Sequence, residues 1–254
     1  MDEQLKKDLA RFANLTYEDF QKLAADPSLS IYQRIGFPNE YRKGFEKPIF
    51  EDLKTKLPNL HKANATIFDI GCGCSELPRM LMGHCLDHGQ ALTFVDSKEM
   101  LDNLPNDQRV KKIAGRYPYL PELQKEMQGK VDVVILYSVF HYVFAQGEMV
   151  PFLDSAARLL SPGGQLLIGD IPNVSKRRRF FASETGVRFH QNFTGSHDIP
   201  DIAPFTLEDG KIDDAVITSI LSRYRASGFE TYILPQNRNL PMENRREDIL
   251  IVRH

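Results

Sequence analysis

Three acidic residues and two glycines, gathered in two short stretches, carry the most specific chemistry in this sequence. The segment FDIGCGCSE holds Asp69, Gly71, Gly73 and Glu76, and the segment ALTFVDS holds Asp96. Glycines at this spacing allow a tight turn and let a ligand approach the backbone closely. The spacing approximates the glycine turn of dinucleotide sites, but Glu76 stands where that turn needs a third small residue. A pyrophosphate would be repelled by a carboxylate there, and Asp69 before the glycines is equally foreign to it. A ligand with a cationic centre and an amino-acid tail fits this pattern better. Asp96, at the end of the next apolar run, is placed to accept hydrogen bonds from both hydroxyls of a ribose, a role that does not by itself separate ligand classes.

These residues need strands behind them and helices after them. ATIFDIG, ALTFVDS, VKKIAG, KVDVVILYSV and QLLIGDIP read as buried strands. LPRMLMGHCLDHG, EMLDNLP and EMVPFLDSAARLLSPGG read as helices between them. The alternation predicts an α/β fold: a three-layer, mostly parallel Rossmann-like sheet. IDDAVITSILSRYRASG predicts a later helix. FETYILPQ and DILIVRH, joined without a helix, predict an antiparallel pair closing one edge, so the C-terminal strand runs antiparallel. Residues 171–212 show no regular pattern. Residues 1–60 read as a helical cap or lid before a main domain at 61–254. In that cap, Leu5, Leu9 and Phe12 share a helical face, Thr16 caps a second helix to about Ala25, and Pro48 starts a third with Ile49, Phe50, Leu53 and Leu57 inward.

The whole-chain properties set outer bounds. Apolar residues make up 42% and charged residues 26% of 254, the profile of a globular protein. The net charge of −2 gives no general pull toward nucleic acid or an anionic membrane. No apolar run approaches the ~20 residues of a membrane span. The N-terminus lacks a signal peptide's apolar core, and three cysteines suggest no disulfide framework, so a cytoplasmic location is expected. Cys72, Cys74, Cys85, His84 and His88 lack the paired spacing of a zinc site, and no metal is expected.

In order, FDIGCGCS, VDS, KIAG, KVDVVILYSVFHYV and LLSPGGQLLIGD resemble the motifs of class I S-adenosylmethionine-dependent methyltransferases, over roughly residues 64–172. The resemblance implies S-adenosyl-L-methionine as cofactor. It implies that Gly71 and Gly73 pass against the methionine part, with Asp69 anchoring the loop and the ammonium. It places Asp96 on the ribose, Ser97 and Met100 beside adenine, and Tyr137 and Ser138 along the sulfonium. Gly115 and Arg116 match a place where the family often has an acid facing the adenine amine, and Arg116 departs from that pattern.

Methyl transfer to a hydroxyl needs a base, whereas an amine needs at most loss of a proton. His141, just beyond the fourth strand, is the first candidate, and Asp170, closing the fifth, is the second. Either has a bland alternative: packing for His141, capping of the next turn for Asp170. Tyr142 is expected to line the acceptor pocket. Lys176 and Arg178, in the basic run Lys176–Arg179, are candidates for an acidic group on the acceptor, although a solvated charge run explains them as well. The expected reaction is methylation of an oxygen or nitrogen of a small acidic metabolite, such as a sugar or nucleotide-linked sugar. Three alternatives stay open: a nicotinamide-dependent oxidoreductase, which Asp69 and Glu76 oppose; a cofactor-binding module without turnover; and a macromolecular acceptor. Nucleic acid is disfavoured for want of a basic face.

Overall fold

Each short apolar run of the central segment becomes a strand, largely buried on both faces except for the edge strand Val110–Ala114. In the computed structural model, which describes residues 11–12, 15–202 and 208–254, these strands are β1 (Thr66–Ile70), β2 (Ala91–Asp96), β3 (Val110–Ala114), β4 (Val131–Tyr137) and β5 (Leu160–Pro172). Two later strands, β6 (Phe229–Leu234) and β7 (Arg246–Arg253), complete one sheet in the order β3-β2-β1-β4-β5-β7-β6. β1 to β5 pair in parallel, and β7 runs antiparallel to both β5 and β6. The mostly parallel sheet with an antiparallel last strand is the architecture expected from the sequence.

The period of two along each strand divides the core between the faces. Phe68, Ile70, Val134, Leu136, Leu166 and Ile168 face one side, with α9 (Met149–Leu159) and α12 (Asp214–Ala226) packed over them. Ile67, Val133, Ile135 and Leu167 face the other, under α4 (Glu46–Lys56) and α5 (Glu76–Asp87). Each of these fully buried aliphatic or aromatic side chains contributes roughly 1.5–3 kcal/mol of transfer free energy. Asp69 shares the second face with Ile67, two residues on.

Ahead of the sheet, α1 (Tyr17–Ala25) begins with a reciprocal capping box, in which Asp19 N donates to Thr16 Oγ1 and Thr16 N to the Asp19 carboxylate, 3.2 Å each. Two single-turn helices follow, α2 (Ile31–Arg34) and α3 (Asn39–Arg42). Pro48 falls in the first turn of α4, with Ile49, Phe50 and Leu53 buried as the spacing predicts. Leu5 and Leu9 lie outside the described residues. Polar contacts fix this segment to α6 (Lys98–Asp102), the helix after β2: Gln21 Nε2 donates to Glu99 (3.1 Å), Arg34 Nη1 to Asn103 Oδ1 (2.6 Å), and Asn103 Nδ2 to Ala24 O (3.1 Å).

The remaining helices are α7 (Pro121–Met127), α8 (Phe140–Ala145), α10 (Val174–Phe181) and α11 (Glu184–Thr194). The last two correct the expectation of an irregular stretch over 171–212. Asn173 Oδ1 caps α10, Ser183 Oγ caps α11, and Gly195 at φ 67° ends α11. Both helices lie on the surface. Only Phe181 in α10 and Gly186 in α11 are buried, so neither shows the apolar stripe that marks a core helix. Among the described residues, no helix is long and apolar enough to cross a membrane.

Candidate active site

Strand order reverses between β1 and β4, and a cavity, partly open to solvent, lies beyond the carboxyl ends of these strands. Its floor is the turn after β1. Gly71 and Gly73 have φ of 73° and 67°, conformations that L side chains rarely adopt. A Cβ would lie 2.6 Å from Val139 Cγ2 at Gly71 and 2.8 Å from Ile35 Cγ2 at Gly73. The turn is therefore held between the end of β4 and α2, and both glycines line the cavity.

Two carboxylates face this floor. Asp69 is 5% exposed, and burial, then the nearby Asp96, pushes its carboxyl up to about 8. Asp96 accepts from Gly73 N at 2.8 Å and from Ser97 N at 2.7 Å. Burial raises it to about 6 against the pull of those two bonds. Tyr17, from α1, also lines the cavity, and burial followed by Asp96 raises its hydroxyl to about 12. Tyr17 thus remains a hydrogen-bond donor at neutral pH. A site with one buried and one half-buried acid, both of raised pKa, favours a ligand that brings positive charge and opposes a pyrophosphate.

At the β2–β3 end, Met100, Val95, Tyr117, Val143 and Phe152 form an apolar slot with Gly115 at its edge. Arg116 lines it too, and donates to Gln146 (2.9 Å) and Glu148 (3.0 Å), which are also cavity residues. Ser97 does not line the cavity. It is 1% exposed and its hydroxyl accepts from Met100 N at 3.2 Å, capping α6, so the expected place of Ser97 beside adenine is corrected.

At the β4–β5 end, Tyr137, Ser138 and Tyr142 line the cavity. Ser138, directly after β4, and Asp170, at the irregularity of β5 between Ile168 and Ile171, each have φ 60°, and Ser138 Oγ donates to Asp170 Oδ2 at 2.6 Å. Asp170 N donates to Asp248 Oδ1 (2.8 Å), and Arg246 holds Asp170 through Nε (3.6 Å to Oδ1) and Nη1 (3.1 Å to the carbonyl). Asp170 therefore stands one hydrogen bond behind the cavity wall. His141 is not part of that wall. Its Nδ1 is buried without a partner among the described residues, and burial, then Arg246, lowers the imidazole to about 3. Its ring lies 3.9 Å from that of Tyr142, which meets Phe20 of α1 edge-on at 4.9 Å.

Lys176 and Arg178 also stand apart from the cavity. Lys176 Nζ donates to Arg246 O (2.6 Å), and Arg178 Nη2 donates to Glu208 (2.8 Å). Both are used by the protein itself, which corrects the expectation that they meet the acceptor there.

One residue that the sequence reading missed is Arg42. It is 5% exposed, lines the cavity, and pairs with Glu46 at 3.0 Å. Its Nη1 reaches Ser138 Oγ at 3.3 Å, and its guanidinium lies 5.1 Å from the Phe37 ring and 5.4 Å from Tyr137. Nη2 has no hydrogen-bond partner among the described residues.

Comparison with known proteins places a name on this site. A family model described as a methyltransferase domain matches residues 68–166. Residues 68–166 carry a methyltransferase domain. That span begins one residue before Asp69 and takes in every cavity residue from β1 to α9. Solved methyltransferases share the fold of this domain and of the segments around it. The plantazolicin methyltransferase BpumL, in complex with a triazolic desmethylPZN analog and SAH, is 13% identical at a TM-score of 0.57, with all of both chains covered. A SAM-dependent methyltransferase from Aquifex aeolicus is 14% identical at 0.51, with 94% of this chain and 98% of that one covered. A putative methyltransferase in complex with the Haloferax volcanii Trm112 activator is 15% identical at 0.51, with 93% and 98% covered. No curated protein matches the chain. At these identities the likeness is one of fold.

Proposed function

We propose that the chain methylates an oxygen or nitrogen of a small, acidic metabolite inside the cavity above β1 and β4. The observation that carries this reading is the roof. Leu15, Tyr17, Phe20, Ile35 and Phe37, all ahead of β1, line the cavity, so the described residues of this segment act as a lid over a partly open chamber. An acceptor must fit inside that chamber, and excluding water there favours displacement at a cationic centre.

The residues fit the donor. Asp69 meets the ammonium, and Arg42, through its unpartnered Nη2, meets the carboxylate of the same amino-acid tail. Asp96 and Tyr17 hold the ribose. Met100, Tyr117, Val143 and Phe152 enclose the base, and Gln146 or Glu148, positioned by Arg116, supplies the acceptor for the amine that the motif position lacks. When bound, the cofactor supplies a methyl group on a sulfonium that leaves by in-line displacement. The protein's own task is to align the acceptor with that methyl, a proximity effect.

Asp170 is the better placed of the two candidate bases. Ser138 Oγ, on the cavity wall, already points its proton at Asp170, so a hydroxyl acceptor seated over Ser138 has a path for its own proton to the Asp170 carboxylate. His141 is sealed from the cavity and its low proton affinity makes it a weak base. Its role is to back Tyr142.

Calorimetric titration with S-adenosylmethionine, S-adenosylhomocysteine and NAD tests the cofactor, and NAD binding alone would overturn the reading. Transfer of labelled methyl into a cell extract tests the acceptor. Label in the low-molecular-mass fraction is expected; label confined to protein or nucleic acid refutes the small acceptor. Tight S-adenosylhomocysteine binding with no label in any fraction would favour a binding module.

A further inference from the structure

Arg246 lies against Asp170, and the residue before it, Arg245, shares an aromatic ring with a third arginine, Arg177. Arg177 of α10 and Arg245, just before β7, both lie on Phe181, 5.7 and 5.4 Å from its ring centroid. Arg245 also stands 6.0 Å from the Phe189 ring. Arg246, the next residue, turns its Nε toward Asp170.

Neighbouring arginines are neutralised, whereas Arg177 and Arg245 are not; Arg246 is shared with Asp170 and also donates to Asp170 O (3.1 Å) and Met242 Sδ (3.8 Å). On the same helix, Arg178 pairs with Glu208 and Arg179 with Asp214; on α12, Arg223 pairs with Asp154. Arg177 and Arg245 have no carboxylate partner among the described residues, and Arg245 donates only to Asn244 Oδ1, at 3.1 Å. An aromatic face holds a guanidinium in place without cancelling its charge, and it leaves the N–H edge free. Asp170 is the one carboxylate paired with any of the three, and it is shared with Ser138. Like charges are crowded here: burial, then Arg246, with Arg177 adding to it, lowers the proton affinity of Arg245. Crowded cations without counter-charges favour an anion, and paired guanidinium forks match the planar or tetrahedral oxygens of a carboxylate or phosphate.

We propose that Arg177, Arg245 and Arg246 form an anion site that grips a carboxylate or phosphate on the methyl acceptor. Only the Asp170 carboxylate separates Arg246 from cavity-lining Ser138, so an anion held there leaves the rest of a small molecule reaching toward Ser138 and the transferred methyl. The proposal rests on the small-acceptor reading above and gives it a substrate class.

The test titrates the full-length protein, saturated with S-adenosylhomocysteine, with inorganic phosphate and separately with malonate at constant ionic strength. Wild type is expected to bind one of them saturably and at least tenfold more tightly than the Arg177→Gln/Arg245→Gln double variant. S-adenosylhomocysteine affinity should be the same in both proteins. Arg177→Gln alone, at an exposed position, serves where the double variant fails to fold, and a severalfold loss is expected of it. Saturation by phosphate alone identifies a phosphorylated acceptor; saturation by malonate alone identifies a carboxylic acid. Absence of saturable binding in wild type, or equal binding by the variants, overturns the anion site. Arginine-dependent anion binding by a protein that binds no S-adenosylhomocysteine would retain the site and overturn the methyltransferase reading instead.

Discussion

Asp69→Asn should make the protein more stable while it cripples cofactor binding. In the folded chain the Asp69 carboxyl sits at about 8, whereas an unfolded aspartate titrates near ~3.9. The folded state therefore holds this proton more tightly. Stability from this group is complete below about pH 4 and falls by about 1.4 kcal/mol per pH unit as pH rises toward about 8. At about pH 7 the accumulated loss is ~4 kcal/mol, and at about pH 5 it is ~1.5 kcal/mol. Asparagine has the same shape and does not titrate, so it removes the loss. At ~2–4 °C per kcal/mol for a chain of this size, the variant should melt about 10 °C higher near neutrality. Scanning calorimetry of both proteins at about pH 5, 7 and 8 checks this: the gap in Tm must widen with pH. A gap that is absent, or that does not change with pH, would show that Asp69 is not held protonated and would remove the electrostatic argument for a cationic ligand. The same carboxyl must give up its proton to meet an ammonium. Wild-type affinity for S-adenosylhomocysteine should therefore rise about tenfold per unit between about pH 6 and 8, and Asp69→Asn should lose both that rise and roughly 10–100-fold in affinity.

Three further outcomes are expected. Asp96→Ala should weaken S-adenosylhomocysteine binding by roughly tenfold or more, as loss of hydrogen bonds to a charged group predicts, with a cooperative melt retained; unchanged affinity by calorimetry refutes the ribose role. Arg42→Met should cost S-adenosylhomocysteine about 10–100-fold in affinity but leave 5′-methylthioadenosine, which lacks the amino-acid tail, unaffected; parallel losses on both ligands would mean that Arg42 only holds the lid in place. Asp170→Asn should lower kcat by roughly a hundredfold or more on a hydroxyl acceptor, as removal of a general base does, whereas His141→Phe should change it severalfold at most; the reverse ranking in a single-turnover assay would return the base to His141.

The parallel sheet was legible because its strands are continuous apolar runs separated by helical spacing, and the turn after β1 was legible because only a few residue types can make it. Asp69 and Asp96 were found for the same reason: an acid at the end of an apolar strand stands out. Arg42 was not, since nothing in NEYRKGFE distinguishes a cavity arginine from a surface one. Only folding brings that segment over β4. Lys176 and Arg178 were chosen for charge density alone. A run of four cations shows where charge is dense, not which members are neutralised, and the partners Glu208 and Asp214 are distant in sequence. The caps Asn173 and Ser183 and the terminal Gly195 were the available signs of α10 and α11. His141 looked reactive because an exposed imidazole is; burial among arginines, a tertiary property, takes that away.

The direction of β7 decides which part of the sequence can change what this enzyme acts on. Because it runs against β5, its first residue rather than its last stands at the ligand-bearing edge, with Arg246 opposite Pro172. The loop before it is thereby delivered over Asp170, whereas a parallel strand would have sent that loop to the opposite edge. Residues 235–245 include Leu240, packed in the core with Ile67 and Val133, and Gln236, which donates to the Asp248 carboxylate that also accepts from Asp170 N. Changes that keep these two would alter what sits above Asp170 while leaving that core in place, and on the proposed reading they would shift acceptor choice apart from methyl donation.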